Sequence, residues 1–369
     1  MLTRPSPVVI PAEEHHWIDA VSALAERFAQ TVAADDLEAR LPIEHLRALS
    51  DTGLDRAFLP AAHGGDGLSY ATLGAVVRTL AYSHPAVATV WLMHLGAAHA
   101  LVSTSQPESA AFFAAELHAG RRFANALSEP AGGNHFLASQ QDADAAEGGW
   151  ALTGRKLFVS GSEAADHLFL NARIDGAPAF FGVTIDDTVS FPPIDETAGM
   201  RATRSRSILF DGTPLRRERR CDPPAPGYAN LITIGFGFIS LGIAESALDA
   251  LAAVARVAKG GTTLADAQWV KQEVGMVWTE VQAARLLAER AAWLADAGSP
   301  EAMPAAAESK LLANDVAKKA AALAVKVGGG GGYLLRSPIQ RIFRDAQAGA
   351  LMAYSVPFAS EIVGGALLA

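Results

Sequence analysis

The run Asn125-Ala126-Leu127-Ser128-Glu129-Pro130-Ala131-Gly132-Gly133-Asn134 opens a stretch, 125–214, that differs from everything on either side of it. It continues through Gly154-Arg155-Lys156-Leu157-Phe158-Val159-Ser160-Gly161 and closes around Arg201-Ala202-Thr203-Arg204-Ser205. Short apolar runs at 150–152, 157–159, 167–170, 179–183 and 207–210 are separated by Gly, Asp and Pro, which predicts strands. Outward from there the chain is alanine-rich and helical. On the N-terminal side Trp17, Val21, Leu24, Ala25 and Phe28 recur at helical spacing, a new helix restarts after Leu41-Pro42, and apolar helices run on to about Gly120. On the C-terminal side a Pro-rich linker, 221–227, leads into helical periods at 231–257, 266–298 and 304–327, with a largely apolar, helical segment at 339–368. The expected class is α+β, mainly α, with an N-terminal α-helical domain (1–121), a middle β-domain (122–217) and a C-terminal helical bundle domain (218–369).

The 369 residues are more than one hydrophobic core usually organises, so a buried cofactor meets no obstacle of size. With 30 basic and 39 acidic residues the net charge is -9, which opposes binding to nucleic acid or to an anionic membrane surface. Charged residues are expected to interrupt every apolar run before bilayer length, so no transmembrane helix is predicted. The first residues lack the apolar core of a secretory signal, which places the start of the mature chain near Met1. Cys221 is the single cysteine, which leaves no internal disulfide and no thiolate metal cluster, and a reducing cytoplasmic setting fits. No metal site is predicted.

The three quoted runs and the flanking helical blocks resemble the acyl-CoA dehydrogenase family, from about Glu14 to Glu361. The segment Leu59-Pro60-Ala61-Ala62-His63-Gly64-Gly65-Asp66-Gly67-Leu68-Ser69 is similar to a structural connector of that family. The resemblance implies a middle β-barrel domain, a C-terminal four-helix bundle, a bound FAD (with FMN as the alternative) and a homodimer or homotetramer, because family flavin sites lie at subunit interfaces.

An isoalloxazine ring is a flat apolar plane with a polar edge, so its site needs an aromatic or aliphatic wall and hydrogen-bonding partners at the rim. On an alternating strand Phe158 and Ser160 share a face, so the first has the chemistry of the wall and the second that of the rim. Ordinary core packing of Phe158 is the competing explanation from periodicity alone. The resemblance places Leu127 and Ser128 at the pyrimidine edge and Gly133-Asn134 at the turn that approaches ligand and pyrophosphate. Here Asn134 stands for the usual Ser and His135 for the usual Asp. The run Gly328-Gly329-Gly330-Gly331-Gly332-Tyr333, ahead of Arg341-Ile342-Phe343-Arg344-Asp345-Ala346, is similar to the family's glycine signature near the flavin of an adjacent subunit, with Gly329 and Gly330 as contacts. Read alone, the run is equally a flexible linker. Gln268 matches a family glutamine. The family's Arg and Phe on the adenosine side are absent from Val257-Ala258-Lys259-Gly260-Gly261, where Lys259 is the one phosphate-seeking charge.

Removing a proton α to a thioester carbonyl needs a positioned base. The family glutamate aligns with Ala353, and its alternative position aligns with about Ile232, so both carboxylates are missing. Asp345 and Glu361 lie nearby, the first in a structural Arg-Asp-Ala motif and the second beyond reach. A histidine used by family oxygenases falls near Met352. The polar residues left in ligand-facing segments are His94, His99, Ser128, Asn134, His135 and Tyr354, with His94 and Tyr354 as the catalytic candidates. The leading expectation is α,β-dehydrogenation of an acyl-CoA or similar substrate, with electron-transfer flavoprotein as oxidant. Two readings stand beside it: a two-component flavin monooxygenase fed by a flavin reductase, and a non-catalytic binding protein built on the same fold.

Overall fold

The computed structural model describes residues 8–368 apart from 131, 134, 226, 227, 259 and 353. Its N-terminal part holds α1 (His15–Phe28), α2 (Val32–Leu37), α3 (Ile43–Asp51), α4 (Leu54–Ala57), α5 (Tyr70–Ser83), α6 (Pro85–Thr104) and α7 (Pro107–His118). α1 buries Val21, Ala25 and Phe28, one stripe of the amphipathic pattern read from the sequence. α5 begins where the Ser69 hydroxyl accepts the Thr72 N–H, and α6 where Pro85 follows a His84 cap that accepts the Val87 N–H.

The change to strands falls after His118. β1 (Phe123–Ala126), β2 (Ala143–Ala146), β3 (Gly149–Val159), β4 (His167–Ile174), β5 (Ala177–Thr184), β6 (Val189–Ser190) and β7 (Arg206–Arg216) make two sheets, ordered β1-β4-β5 and β2-β3-β7-β6. β1 pairs parallel with β4, and the other pairs are antiparallel. Leu152, Val159, Leu170, Phe181, Ile208 and Leu215 fill one core between them. Within the described residues the expected barrel is therefore a pair of sheets sharing a core. The runs 150–152 and 157–159 belong to the single strand β3, whose pairing with β7 slips between Leu152 and Gly154 and again between Lys156 and Val159.

The C-terminal part comprises α8 (Leu231–Ala255), α9 (Gln268–Asp296), α10 (Ala302–Gly332), α11 (Pro338–Ala348) and α12 (Val356–Leu368). The first four pack as a bundle and α12 lies on α10. The segment expected to be helical, 339–368, carries two helices, α11 ending at Ala348 and α12 starting at Val356. The expectation that charges interrupt every apolar run also needs correction. α6 and α8 are long and apolar enough to cross a membrane, but 83% and 94% of their apolar windows are buried inside the molecule, and hydropathy alone does not separate a core helix from a spanning one. α5 packs tightly on α8, and Gly74 is required there because any Cβ would collide with the Phe238 ring. One hydrophobic cluster consequently runs through both helical parts.

α11 joins all three parts. Arg344 binds the Asp36 carboxylate of α2 with both terminal nitrogens and donates to the Ala198 carbonyl at 2.7 Å. Asp345 accepts the Met200 N–H at 2.7 Å and faces Arg341 at 3.5 Å. The Arg-Asp-Ala motif is a structural joint.

Candidate active site

The end of β3 is pinned from inside. Lys156 is fully buried; its Nζ donates to Glu129 at 2.5 Å and to the Asn171 side-chain oxygen at 2.7 Å. Glu129 also accepts the Ser139 hydroxyl and the Gln140 N–H, so one carboxylate holds the 129–140 turn against the strand. Burial alone would raise the Glu129 pKa, but the ammonium, hydroxyl and amide outweigh it and hold the carboxyl below its usual value. Burial pulls Lys156 down to about 8 against the opposing pull of Glu129, so the pair is charged at neutral pH.

Two residues on, Phe158 adopts φ 55 and is 67% exposed. A left-handed backbone at a bulky non-glycine residue is strained and persists only where the surroundings impose it, here at the slip between β3 and β7. The simple alternation that would put Phe158 and Ser160 on one face therefore fails, because the bulge turns Phe158 outward while Lys156 and Val159 point in. Leu127 and Ser128 lead from β1 into the 129–140 turn, and the Ser128 carbonyl accepts the Leu157 N–H at 2.9 Å. Ser160 joins a string of hydroxyls: Thr203 donates to the Met200 carbonyl at 2.8 Å, Ser205 meets Thr203 at 2.7 Å, and Ser160 meets Ser205 at 2.8 Å. Each hydroxyl has one hydrogen, so with Thr203 committed the string runs one way and leaves Ser160 offering lone pairs at its end.

An aromatic face of this size, unstacked by any described residue and flanked by hydroxyl and backbone groups, fits a flat ring with a polar edge. Gly133 fits as well: its φ is 51, and a Cβ there would meet nothing within 4 Å.

The 129–140 turn is met on its other side by the connection between α11 and α12. Lys310, 2% exposed, donates from Nζ to the Gly349 carbonyl at 2.6 Å, and Asn314 donates to the same oxygen at 2.9 Å. Without a carboxylate partner, burial draws the lysine down to about 7. Beyond this anchor Tyr354 has φ 56, a second strained aromatic. Its ring lies 5.3 Å from Phe136, in the turn after Gly133, and 5.7 Å from Phe358. Burial raises the Tyr354 pKa, with the neighbouring Thr233 opposing. The Gly133 turn and the loop expected to carry the base are thus brought together.

Other expected residues are placed differently. His94 is fully built into the core: Nδ1 accepts the Phe123 N–H at 3.0 Å, so Nε2 carries the proton and faces Asp55 at 3.1 Å. Its role is to tie α6 to α4 and β1, which removes it as a catalytic candidate. Gln268 is exposed at the start of α9, and Gly329 (φ 56, ψ -148) kinks the end of α10, with Gly330 facing open space. The glycine run is therefore the end of a helix and not a flexible linker. Lys326 reaches Glu273 at 2.6 Å and lies over Trp269, so Gln268, Gly329 and Gly330 form a second group at the end of the bundle. Among the described residues, no hydrogen bond, ion pair or ring contact joins that group to Phe158. Glu361 and His135 are exposed, the latter edge-on to Phe358. Ile232 packs against Gly96, and Met352 lies against the helical core. Asn134, Lys259 and Ala353 lie outside the described residues.

Sequence reading missed Lys156, Lys310, Tyr228 and Thr233. A signal existed for Lys310, which interrupts the stripe Ala306, Ala313, Ala317 at core spacing. Tyr228 and Thr233 gave none, since an isolated tyrosine or threonine at a helix start is an ordinary surface residue.

Residues 11–121 match the acyl-CoA dehydrogenase N-terminal domain and residues 233–353 the acyl-CoA dehydrogenase C-terminal domain. The chain belongs to the acyl-CoA dehydrogenase family, a family of flavin-dependent oxidoreductases. It is 27% identical over 353 residues to a probable acyl-CoA dehydrogenase of Mycobacterium tuberculosis, covering 92% of this chain and 91% of that one. Among solved structures, butyryl-CoA dehydrogenase from Megasphaera elsdenii superposes with a TM-score of 0.90 at 23% identity over 100% of both chains. FMN-bound TdsC from Paenibacillus sp. A11-2 superposes with a TM-score of 0.85 at 22% identity, over 96% of this chain and 97% of that one.

Proposed function

We propose that the protein binds FAD, with FMN as the alternative, and oxidises an acyl thioester or similarly activated carbonyl compound. The observation that carries this reading is Phe158, an exposed aromatic held in a strained backbone at the mouth of a hydroxyl-lined strand end. Strained backbone of this kind clusters at ligand sites. Phe158 would lie along the ring, Ser128 and Ser160 would address its rim, and Gly133 would admit close approach. Gln268, Gly329 and Gly330 would meet the adenosine half, across a homodimer or homotetramer interface. A bound flavin supplies a two-electron acceptor for hydride leaving a substrate carbon.

The chain's own part is positioning and proton handling. Tyr354, its pKa raised by burial, remains protonated at neutral pH and can donate a hydrogen bond to a substrate carbonyl; it is a poor base. Asp345 is committed to Met200 and Arg341. This lack of a free carboxylate on the described part of the loop favours a second reading, a two-component monooxygenase taking reduced flavin from a reductase and using O2. Dehydrogenation would instead pass its electrons to an electron-transfer flavoprotein.

Anaerobic titration of the FAD-loaded protein with butyryl-CoA separates the two. Bleaching of the flavin absorbance supports dehydrogenation, whereas product formed only with supplied reduced flavin and O2 supports oxygenation. Absence of any flavin binding after addition of FAD or FMN ends both and leaves the non-catalytic reading. Phe158→Ala should weaken flavin binding about tenfold, by loss of roughly 1–1.5 kcal/mol of ring contact, with far-ultraviolet circular dichroism unchanged. Unaltered affinity would show that the ring lies elsewhere.

A further inference from the structure

Beside Tyr354, three buried polar atoms lack a partner in full hydrogen-bonding geometry among the described residues: His99 Nδ1, the Tyr228 hydroxyl, on which Asn230 acts more loosely, and the Thr233 hydroxyl, which acts in the same loose way on the Tyr354 phenol. Buried groups of this kind are normally paired, and several orphans in one neighbourhood indicate that something outside the chain completes them. Their neighbourhood follows from helix packing. α6 and α8 run antiparallel, with Leu92 against Gly235 and Gly96 against Ile232, so the next turn of α6 brings His99 onto Tyr228. The two rings stack at 5.8 Å and 22°. Thr233 stands on the first turn of α8, 2% exposed, facing the Tyr354 phenol. Nearby Asn230 uses its side-chain oxygen to accept the Ile232 and Thr233 N–H groups, which leaves its amide N–H as the one side-chain donor beside the Tyr228 phenol.

The cluster is uncharged. Burial depresses His99 to about 4, leaving a neutral imidazole, and raises the Tyr228 phenol. The groups acting on Tyr228 are Tyr70, Tyr354, Asn230 and Cys221, none of them charged at neutral pH. A carboxylate or ammonium on a ligand would find no counter-ion here, while a plain alkyl chain would leave all three atoms unpaired.

We propose that His99, Tyr228 and Thr233 form a specificity end of the substrate site, and that the substrate carries a neutral hydrogen-bonding group, a hydroxyl or an N–H, that reaches them. This rests on the flavin oxidoreductase reading and narrows its substrate class: simple fatty acyl thioesters are poor ligands.

The test is isothermal titration calorimetry of the full chain, with and without FAD, using probes that differ in one polar group: 4-hydroxybutyryl-CoA against butyryl-CoA, and indole against indene. The wild type should favour the polar member of at least one pair by about tenfold. Tyr228→Phe and Thr233→Val should each reduce that preference by about fivefold while leaving the apolar member within about twofold. Both variants should fold with an unchanged or raised Tm, because an isosteric apolar group replaces an unpaired polar one. Equal affinity for both members of each pair, no binding of any probe, or a preference that survives both substitutions would overturn the proposal and leave these atoms to ordinary water. Probe discrimination is scored without reference to the flavin, whose binding is followed separately by visible absorption, so failure of this subsite and failure of the cofactor reading give different results.

Discussion

Phe158 and Tyr354 solve the same backbone problem in opposite ways. Both are aromatic residues in left-handed conformations, φ 55 and φ 56, and both follow an anchor made by a buried lysine. At Phe158 the lysine is Lys156, paired with Glu129, and the aromatic face is turned outward. At Tyr354 the lysine is Lys310, held by the Gly349 carbonyl and lying 5.3 Å from the Phe236 ring centre, and the phenol is turned inward. The strain is similar; the electrostatics of the two anchors are not. A paired lysine keeps its charge and makes a rigid pin across neutral pH, whereas an unpaired one must choose between carrying a buried charge and losing its proton.

The largest effect should come from breaking the paired anchor. Glu129→Ala leaves a buried ammonium alone and should lower stability by about 3–5 kcal/mol in chemical denaturation. It should also release the Phe158 bulge, so flavin affinity falls with it. A loss below about 1 kcal/mol would mean that the pair is not the pin.

The unpaired anchor should reveal itself through pH. The folded-state pKa of Lys310, about 7, lies below its ordinary 10.5, so the unfolded chain binds more protons between those values. Stability contributed by this site therefore rises as pH increases from about 7 towards 10, with a slope of at most about 1.4 kcal/mol per pH unit, and Lys310→Met should flatten that slope. A wild-type curve with no such rise, or a variant that keeps it, would place the charge elsewhere.

The smallest change should follow Tyr354→Gly. Glycine accepts φ 56 freely, so relief of roughly 1 kcal/mol of strain offsets part of the lost ring packing, and a net loss of about 1–2 kcal/mol should move unfolding midpoints by only a few degrees. A large loss would show that the phenol, and not Lys310, holds the loop.

The sequence carried the order of the three parts because period-two runs inside period-3.6 blocks are visible without any contact information. It also singled out Leu127, Ser128, Phe158 and Ser160, which the structure gathers around the bridge between Ser128 and Leu157. It did not carry the bulge that turns Phe158 out, since a one-residue slip between β3 and β7 depends on the partner strand. Nor could it tell that His94 is fully satisfied: its partners, Asp55 and the Phe123 N–H, lie 39 and 29 residues away. The end of α11 at Ala348 escaped because the apolar residues there read as helix until tertiary contacts from Lys310 and Asn314 claim the Gly349 carbonyl.

The bonds made by Arg344 and Asp345 bear on how the molecule comes apart. A single short helix is tied to α2, to the 198–200 segment and to its own bundle, while α5 and α8 share one core. No cut between the three parts leaves a finished surface behind. Heating should therefore give one cooperative transition, and a fragment ending at residue 217 should be unable to hold its helices alone.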